Sequence, residues 1–152
     1  MYRKILVAYN GTPESRYALQ ECIRLSPGPS AEIHLLAVVM PQPVLLAGEF
    51  VAAAVLNVEE EQAERKAMES VLATGRELLM EAGLKVTTHL EVGEPITVIA
   101  NMVNRAGIDL VILGHSRHKP FSLRWWRGST DALLVEKVRC SLLVAADPQR
   151  AA

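Results

Sequence analysis

Aromatic side chains make up only 5% of this chain, and it has just two cysteines. Cys22 and Cys140 form no C-x-x-C pair and lie far apart in sequence. That excludes a disulfide scaffold and a cysteine metal knot, and leaves two free thiols in a reducing compartment. Charge of one sign is also missing: 16 Lys and Arg stand against 17 Asp and Glu, for a formal charge of −1. A dedicated nucleic-acid binder would show a basic balance, so that class is not expected. No apolar run approaches the roughly 18 residues of a membrane span. The N-terminal apolar stretch after Arg3-Lys4 is too short for a secretory signal. A cytoplasmic protein without a membrane partner is expected. Also absent are H-E-x-x-H, clustered carboxylates, the G-x-x-x-x-G-K-[ST] phosphate loop, and a G-x-G-x-x-G turn after the first strand. Those gaps exclude a zinc hydrolase, a P-loop nucleotidase and a nicotinamide dehydrogenase, and no metal ligand set is assigned.

What is present is a chain of 152 residues, half of them hydrophobic, enough for one domain with a real core. Ile5–Tyr9 reads as a central strand, and Thr12-Pro13 as an N-cap and first helical residue. The following helix places Ala18, Leu19, Cys22 and Ile23 on one face and stops at Ser26-Pro27. Ile33–Val39 is a second strand. Residues 40–57 form a long apolar connection without a clear period. A helix is expected from about Val58 to Ala82, with Ala63, Ala67, Val71, Leu78 and Ala82 on its apolar stripe and Gly83 as its cap. The acidic run Glu59-Glu60-Glu61 would then favour the dipole at that helix's start. Val86–Glu91 alternates like an edge strand. A short helix from Pro95 to Gly107, a strand at Leu110–Leu113, a helix over 129–138 and a strand at Leu142–Ala145 complete the order. Strands alternating with helices predict an α/β fold, three layers with a five-stranded, mostly parallel sheet. One domain is expected over 1–147, followed by a short polar tail.

The densest signal lies between Val111 and Val144. A buried strand ends in Gly114, a basic loop follows with His115, Arg117, His118, Lys119, Arg124 and Arg127, and Gly128-Ser129-Thr130 opens a helix. Glycines admit an anion close to the backbone, and the free N–H groups of a first helical turn point at it. In parallel sheets ligands bind beyond the strand carboxyl ends, where strand order reverses. Asn10-Gly11, Val38-Val39 and Gly114 all fall at such ends.

These residues resemble the universal stress protein family over essentially the whole length. The matching stretches are K-I-L-V-A-Y-N-G-T-P-E-S, I-H-L-L-A-V-V, V-G-E-P, D-L-V-I-L-G and G-S-T-D-A-L-L-V-E-K-V-R-C-S-L-L-V. The resemblance implies a five-stranded fold that dimerises along its last strand, Ser141 to Ala146. In the ATP-binding branch it also implies a nucleotide held by G-x-x-G-x9-G-[ST]. Carried over by position, Gly114, Gly128 and Ser129 fall on phosphate-contacting positions, with Thr130 following. Ala8 and Asn10 fall on the adenosine pocket, and Val38 on the residue whose backbone reads the adenine edge.

Two departures stand out. Asn10 replaces the usual acid, exchanging a charge-assisted bond of about 1.5–3 kcal/mol for a neutral one of about 0.5–1.5. The second loop glycine is Arg117 or His118, and the loop is one residue longer than the pattern. Arginine side chains could supply the charge that displaced backbone amides no longer offer. Trp125 and Trp126 either stack on a base or fill the gap between loop and sheet.

The expected function is a dimeric stress-response regulator binding ATP or another adenine nucleotide, with or without Mg, for an unidentified protein partner. It is not expected to be an enzyme, because His115 and His118 are the only nearby bases. The alternative is a nucleotide-free protein-interaction module of the same fold. His34 and His89 fall inside strand patterns and are expected to be half-buried, hydrogen-bonded side chains.

Overall fold

The computed structural model describes residues 1–40, 50–115 and 130–146, with side chains throughout except at 50–57 and 130–133. The elements run β1 (Lys4–Ala8), α1 (Pro13–Leu25), β2 (Glu32–Val39), α2 (Phe50–Glu81), β3 (Lys85–Val92), α3 (Pro95–Ala106), β4 (Leu110–His115), α4 (Thr130–Lys137) and β5 (Ser141–Ala146). All pairings are parallel, in the order β3-β2-β1-β4-β5. The expected three-layer α/β fold is thus present. Strand order reverses between β1 and β4, so the switch point lies beyond Ala8 and Gly114.

Strand alternation sorts the core into two layers. Ile5, Val7, Tyr9, Ile33, Leu35, Ala37 and Ile112 pack with α1 and α2. Leu6, Ala8, Leu36, Val38, Val111 and Leu113 pack with α3 and α4. Burial on both sides explains why β1, β2 and β4 read as continuous apolar runs. The amino ends of the central strands are tied by Asp109, whose carboxylate accepts the backbone N–H groups of Arg3 and Lys4 at 2.8 and 3.0 Å.

The caps of α1 and α3 follow local chemistry. Thr12 caps α1 with Pro13 behind it, and Ser26 closes it in the left-handed region. At α3, the Glu94 carboxylate accepts the N–H groups of Ile96 and Thr97, and Gly107 closes the helix. Desolvation works to raise the Glu94 pKa, but these bonds and the Thr97 hydroxyl outweigh it and leave the pKa lowered. Both cysteines are free thiols. Burial pushes Cys22 up to about 12.

Four expectations need correction. Helix α2 begins at Phe50, not near Val58: an Ala-rich run such as Phe50-Val-Ala-Ala-Ala-Val-Leu has helix propensity without amphipathic period. Glu59-Glu60-Glu61 therefore lie inside the helix, not at its positive end. The stripe facing the sheet is Met68, Val71, Leu72, Gly75 and Leu79, whereas Ala63, Ala67, Leu78 and Ala82 are exposed. Among the described side chains of α2, those from Met68 onward meet the sheet. In α1, Ile23 is exposed, one position beyond the stripe of Ala18, Leu19 and Cys22.

Gly75 lets α2 settle on the sheet. A Cβ there would stand 2.7 Å from Cε1 of buried Tyr9 and 3.1 Å from Cδ2 of Leu35. Alanine would gain about 1 kcal/mol of helix propensity, against an overpacking cost of about 1–3 kcal/mol. Gly75→Ala is expected to lower stability by about 1 kcal/mol in urea unfolding, with the loss partly recovered by Tyr9→Leu.

Candidate functional site

The carboxyl end of β1 turns into α1 through a closed set of local bonds. Asn10 Oδ1 accepts the Thr12 backbone N–H at 3.1 Å and the Thr12 hydroxyl at 2.6 Å. Thr12 Oγ1 in turn accepts the Ser15 N–H at 3.3 Å. Ser15 Oγ accepts the Asn10 N–H at 3.3 Å and donates to the Thr12 carbonyl at 2.9 Å. Gly11 makes the turn possible at φ +83°, with Val71 packed where a side chain would begin. The Thr12 N–H can only donate, so the orientation of the Asn10 carboxamide follows: oxygen toward the turn, nitrogen away from it. Among the described residues that nitrogen has no hydrogen-bond partner.

Ala8 and Val38 are 1% and 2% exposed and share one apolar cluster with Leu134 of α4 and Val138 just after it. The start of α4 at Thr130 is thereby placed on the same side of the sheet as Ala8 and Val38. His115 ends β4, half-buried, beside Ala146 of β5. The structure thus places Ala8, Asn10, Val38, Gly114 and His115 at or near the carboxyl ends of β1, β2 and β4, and Thr130 at the start of α4. Arg117, Gly128 and Ser129 lie outside the described residues, as do Lys119, Arg124, Arg127, His118 and the two tryptophans. Residues 41–49 and the tail from 147 lie outside them as well.

Gly114 has a role that sequence reasoning missed. A Cβ on it would overlap the carbonyl of Glu14 and come within 3.0 Å of the Ser15 Cα. The first turn of α1 lies directly against the β4 backbone, and both partners are main chain. The glycine is therefore required by helix–strand contact whether or not an anion approaches. Its missing side chain points toward α1, the face opposite Ala8 and Val38. Glu14 and Ser15, both buried, were also overlooked. For Ser15 the signal was Thr12-x-x-Ser15, a capping hydroxyl followed three residues on by a second hydroxyl, which here accepts the Asn10 N–H.

The model of the universal stress protein family matches residues 1–146. The chain belongs to that family. No curated protein matches the sequence. Among solved structures, the hypothetical protein MJ0577 aligns at a TM-score of 0.79 and 20% identity, covering 99% of either chain. A universal stress protein family member from Arabidopsis thaliana with AMP bound aligns at 0.67 and 17%, covering 97% of this chain and 93% of the other. A universal stress protein from Archaeoglobus fulgidus in complex with dAMP aligns at 0.61 and 13%, over 94% and 97%. At these identities the likeness carries the fold.

For a member of this family, the Gly114 contact gives a sharp test. Gly114→Ala sets a methyl against backbone that cannot rotate aside, and should cost about 3 kcal/mol, the upper end of ordinary overpacking. Chemical unfolding without any nucleotide checks it. A loss under about 0.5 kcal/mol would show that α1 can back away from β4.

Proposed function

We propose that this chain is a nucleotide-binding regulator of the universal stress protein family, taking ATP or another adenine nucleotide at the β1–β4 switch point. The observation that carries the reading is the reversal of strand order between β1 and β4, beside which Asn10 turns its amide nitrogen away from the β1–α1 turn. In this reading buried Ala8 and Val38 form the floor under the base, and the Val38 backbone reads its edge. The Asn10 amide nitrogen donates to the nucleoside, and Gly128, Ser129 and Thr130 hold phosphate through their N–H groups. His115 and Arg117 add side-chain donors. The residues fit a nucleotide in that the Asn10 amide nitrogen is left to donate where strand order reverses. Mg, if it accompanies the phosphates, would be held mainly by them and by water.

The protein acts by presenting a nucleotide-dependent surface to another protein in the stress response. It does so in the cytoplasm, as a dimer paired along β5, with hydrolysis at most slow. Among the described residues no helix is long and apolar enough to cross a membrane, and no group of three or more metal-ligating side chains is present.

A second reading has one observation in its favour. Gly114 is accounted for by Glu14, and Asn10 Oδ1 by Thr12, so neither needs a ligand to explain it. A nucleotide-free interaction module of the same fold fits those two facts equally well.

Calorimetric titration of nucleotide-stripped protein with ATP, AMP and cAMP separates the readings. Saturable binding in the micromolar range, weakened at least about tenfold by Gly128→Val, is the expected result. No heat and no thermal stabilisation at millimolar nucleotide would leave the interaction module as the function.

A further inference from the structure

His34 of β2 and His89 of β3 form a bonded pair that no nucleotide-binding role uses. Nδ1 of His34 and Nε2 of His89 stand 2.9 Å apart. The ring centroids are 5.1 Å apart and the planes differ by 21°. A centroid separation so much longer than the N···N distance is reached only when both nitrogens lie near the line joining the rings. The imidazoles therefore meet end to end, and the space between them fits one hydrogen. It does not fit a metal ion, whose bonds of about 2 Å to each nitrogen would need converging lone pairs or a wider gap.

The surroundings determine where a charge can sit. His34 Nε2 is buried without a hydrogen bond, and its nearest acid is Glu32 Oε2 at 3.7 Å. On the other side, Arg105 of α3 reaches Glu91 of β3 at 3.2 Å and sets a cation near His89. Glu32 therefore lies on the His34 side of the pair and Arg105 on the His89 side. With one proton on the pair, a second on His89 meets a cation in its partner and another in Arg105, with Glu91 already engaged. Burial, His34 and Arg105 all act to lower the His89 pKa, and Glu91 opposes them.

We propose that the His34–His89 bond is a pH-sensitive clamp on the β2–β3 edge, holding while at most one ring is cationic and opening when both are. The double cation has an N–H on each facing nitrogen and no acceptor between them. The consequence reaches the strand ends: Val38 lies four residues along β2 from His34, and Gly93 N–H bonds the Val39 carbonyl at 3.0 Å. Loosening β3 therefore frees the outer wall of the switch-point region.

The direction with pH follows from linkage. Unfolded chain takes the His89 proton at the ordinary histidine pKa, and the folded pair resists it. The pair's contribution to stability is complete above that ordinary value. It is lost as pH falls toward and through the lowered, folded one.

Histidine 15N shifts and amide hydrogen exchange, corrected for intrinsic rate, test the clamp between about pH 7.5 and about pH 5. Two separated titration steps are expected, with protection of β3 amides falling at least about tenfold while β4 amides hold. His89→Gln supplies a neutral carboxamide that stays bonded to His34 Nδ1 in every protonation state, and should abolish the selective loss. Both rings titrating together, or unchanged β3 protection across that range, would overturn the proposal. So would a selective loss that persists in His89→Gln.

Discussion

The contact on which the rest of the molecule depends is backbone against backbone: the Glu14 carbonyl in the first turn of α1 set against Gly114 in β4. Helices normally rest on sheets through side chains, and helix axis and strand then stand about 10 Å apart. Here the side-chain layer is missing at one point, so α1 dips toward the strand ends at the switch point. That closeness brings Thr12 and Ser15 within reach of Asn10 and closes the hydrogen-bonded turn. It also explains why Glu14 and Ser15 are buried although they begin a helix. A polar residue at a helix start is ordinarily solvated; these two are enclosed because the helix end is pressed into the sheet.

The same contact divides the candidate site into two halves with different origins. On the α1 side Asn10, Thr12 and Ser15 bond one another, and of their side-chain groups the Asn10 amide nitrogen is left to donate. On the α3–α4 side, Ala8 and Val38 are buried in one apolar cluster with Leu134 of α4. A ligand would find apolar side chains on one face and the Asn10 amide donor at the rim of the other. An aspartate in place of Asn10 would keep the bonds to Thr12 and turn a second acceptor outward. The asparagine turns a donor outward. The exchange therefore changes the partner this corner seeks, from a hydroxyl or amine to an oxygen or nitrogen lone pair, beyond removing a charge.

Element order and layer structure were legible because burial on two faces leaves β1, β2 and β4 as unbroken apolar runs, and Gly, Pro or Thr marks most junctions. The phase of α2 was not legible. Its apolar residues are spread over several faces, and only the sheet selects Leu72, Gly75 and Leu79 over Ala63, Ala67 and Leu78. Its start was hidden for a related reason: residues 50–57 are good helix formers without an apolar-polar period. Gly114 was singled out for its position, but glycine reads the same whether ligand or helix backbone fills the missing Cβ. His34 and His89 were recognised as half-buried and hydrogen-bonded. That they bond each other depends on the β2–β3 register, in which His34 stands opposite Thr87 and His89 opposite Leu36, and no single strand carries that information.

The two sheet edges solve the problem of unpaired backbone in opposite ways, and the difference bears on assembly. β3 exposes Lys85, Thr87 and Thr88, and carries Glu91 in an ion pair, with a histidine whose second charge is resisted. Charged and hydroxylated side chains along an edge discourage addition of another strand. β5 carries no charge from Ser141 to Ala146. Leu142 and Leu143 are half-buried, and Val144 is 40% exposed at the end of a fold whose other central strands are covered. An apolar, uncharged edge left open in one copy is closed at least cost by the same edge of a second. Pairing through β3 would have to desolvate the Arg105–Glu91 pair and the histidine clamp. The asymmetry of the edges thus favours β5 as the seam of the proposed dimer and leaves β3 free to respond to pH.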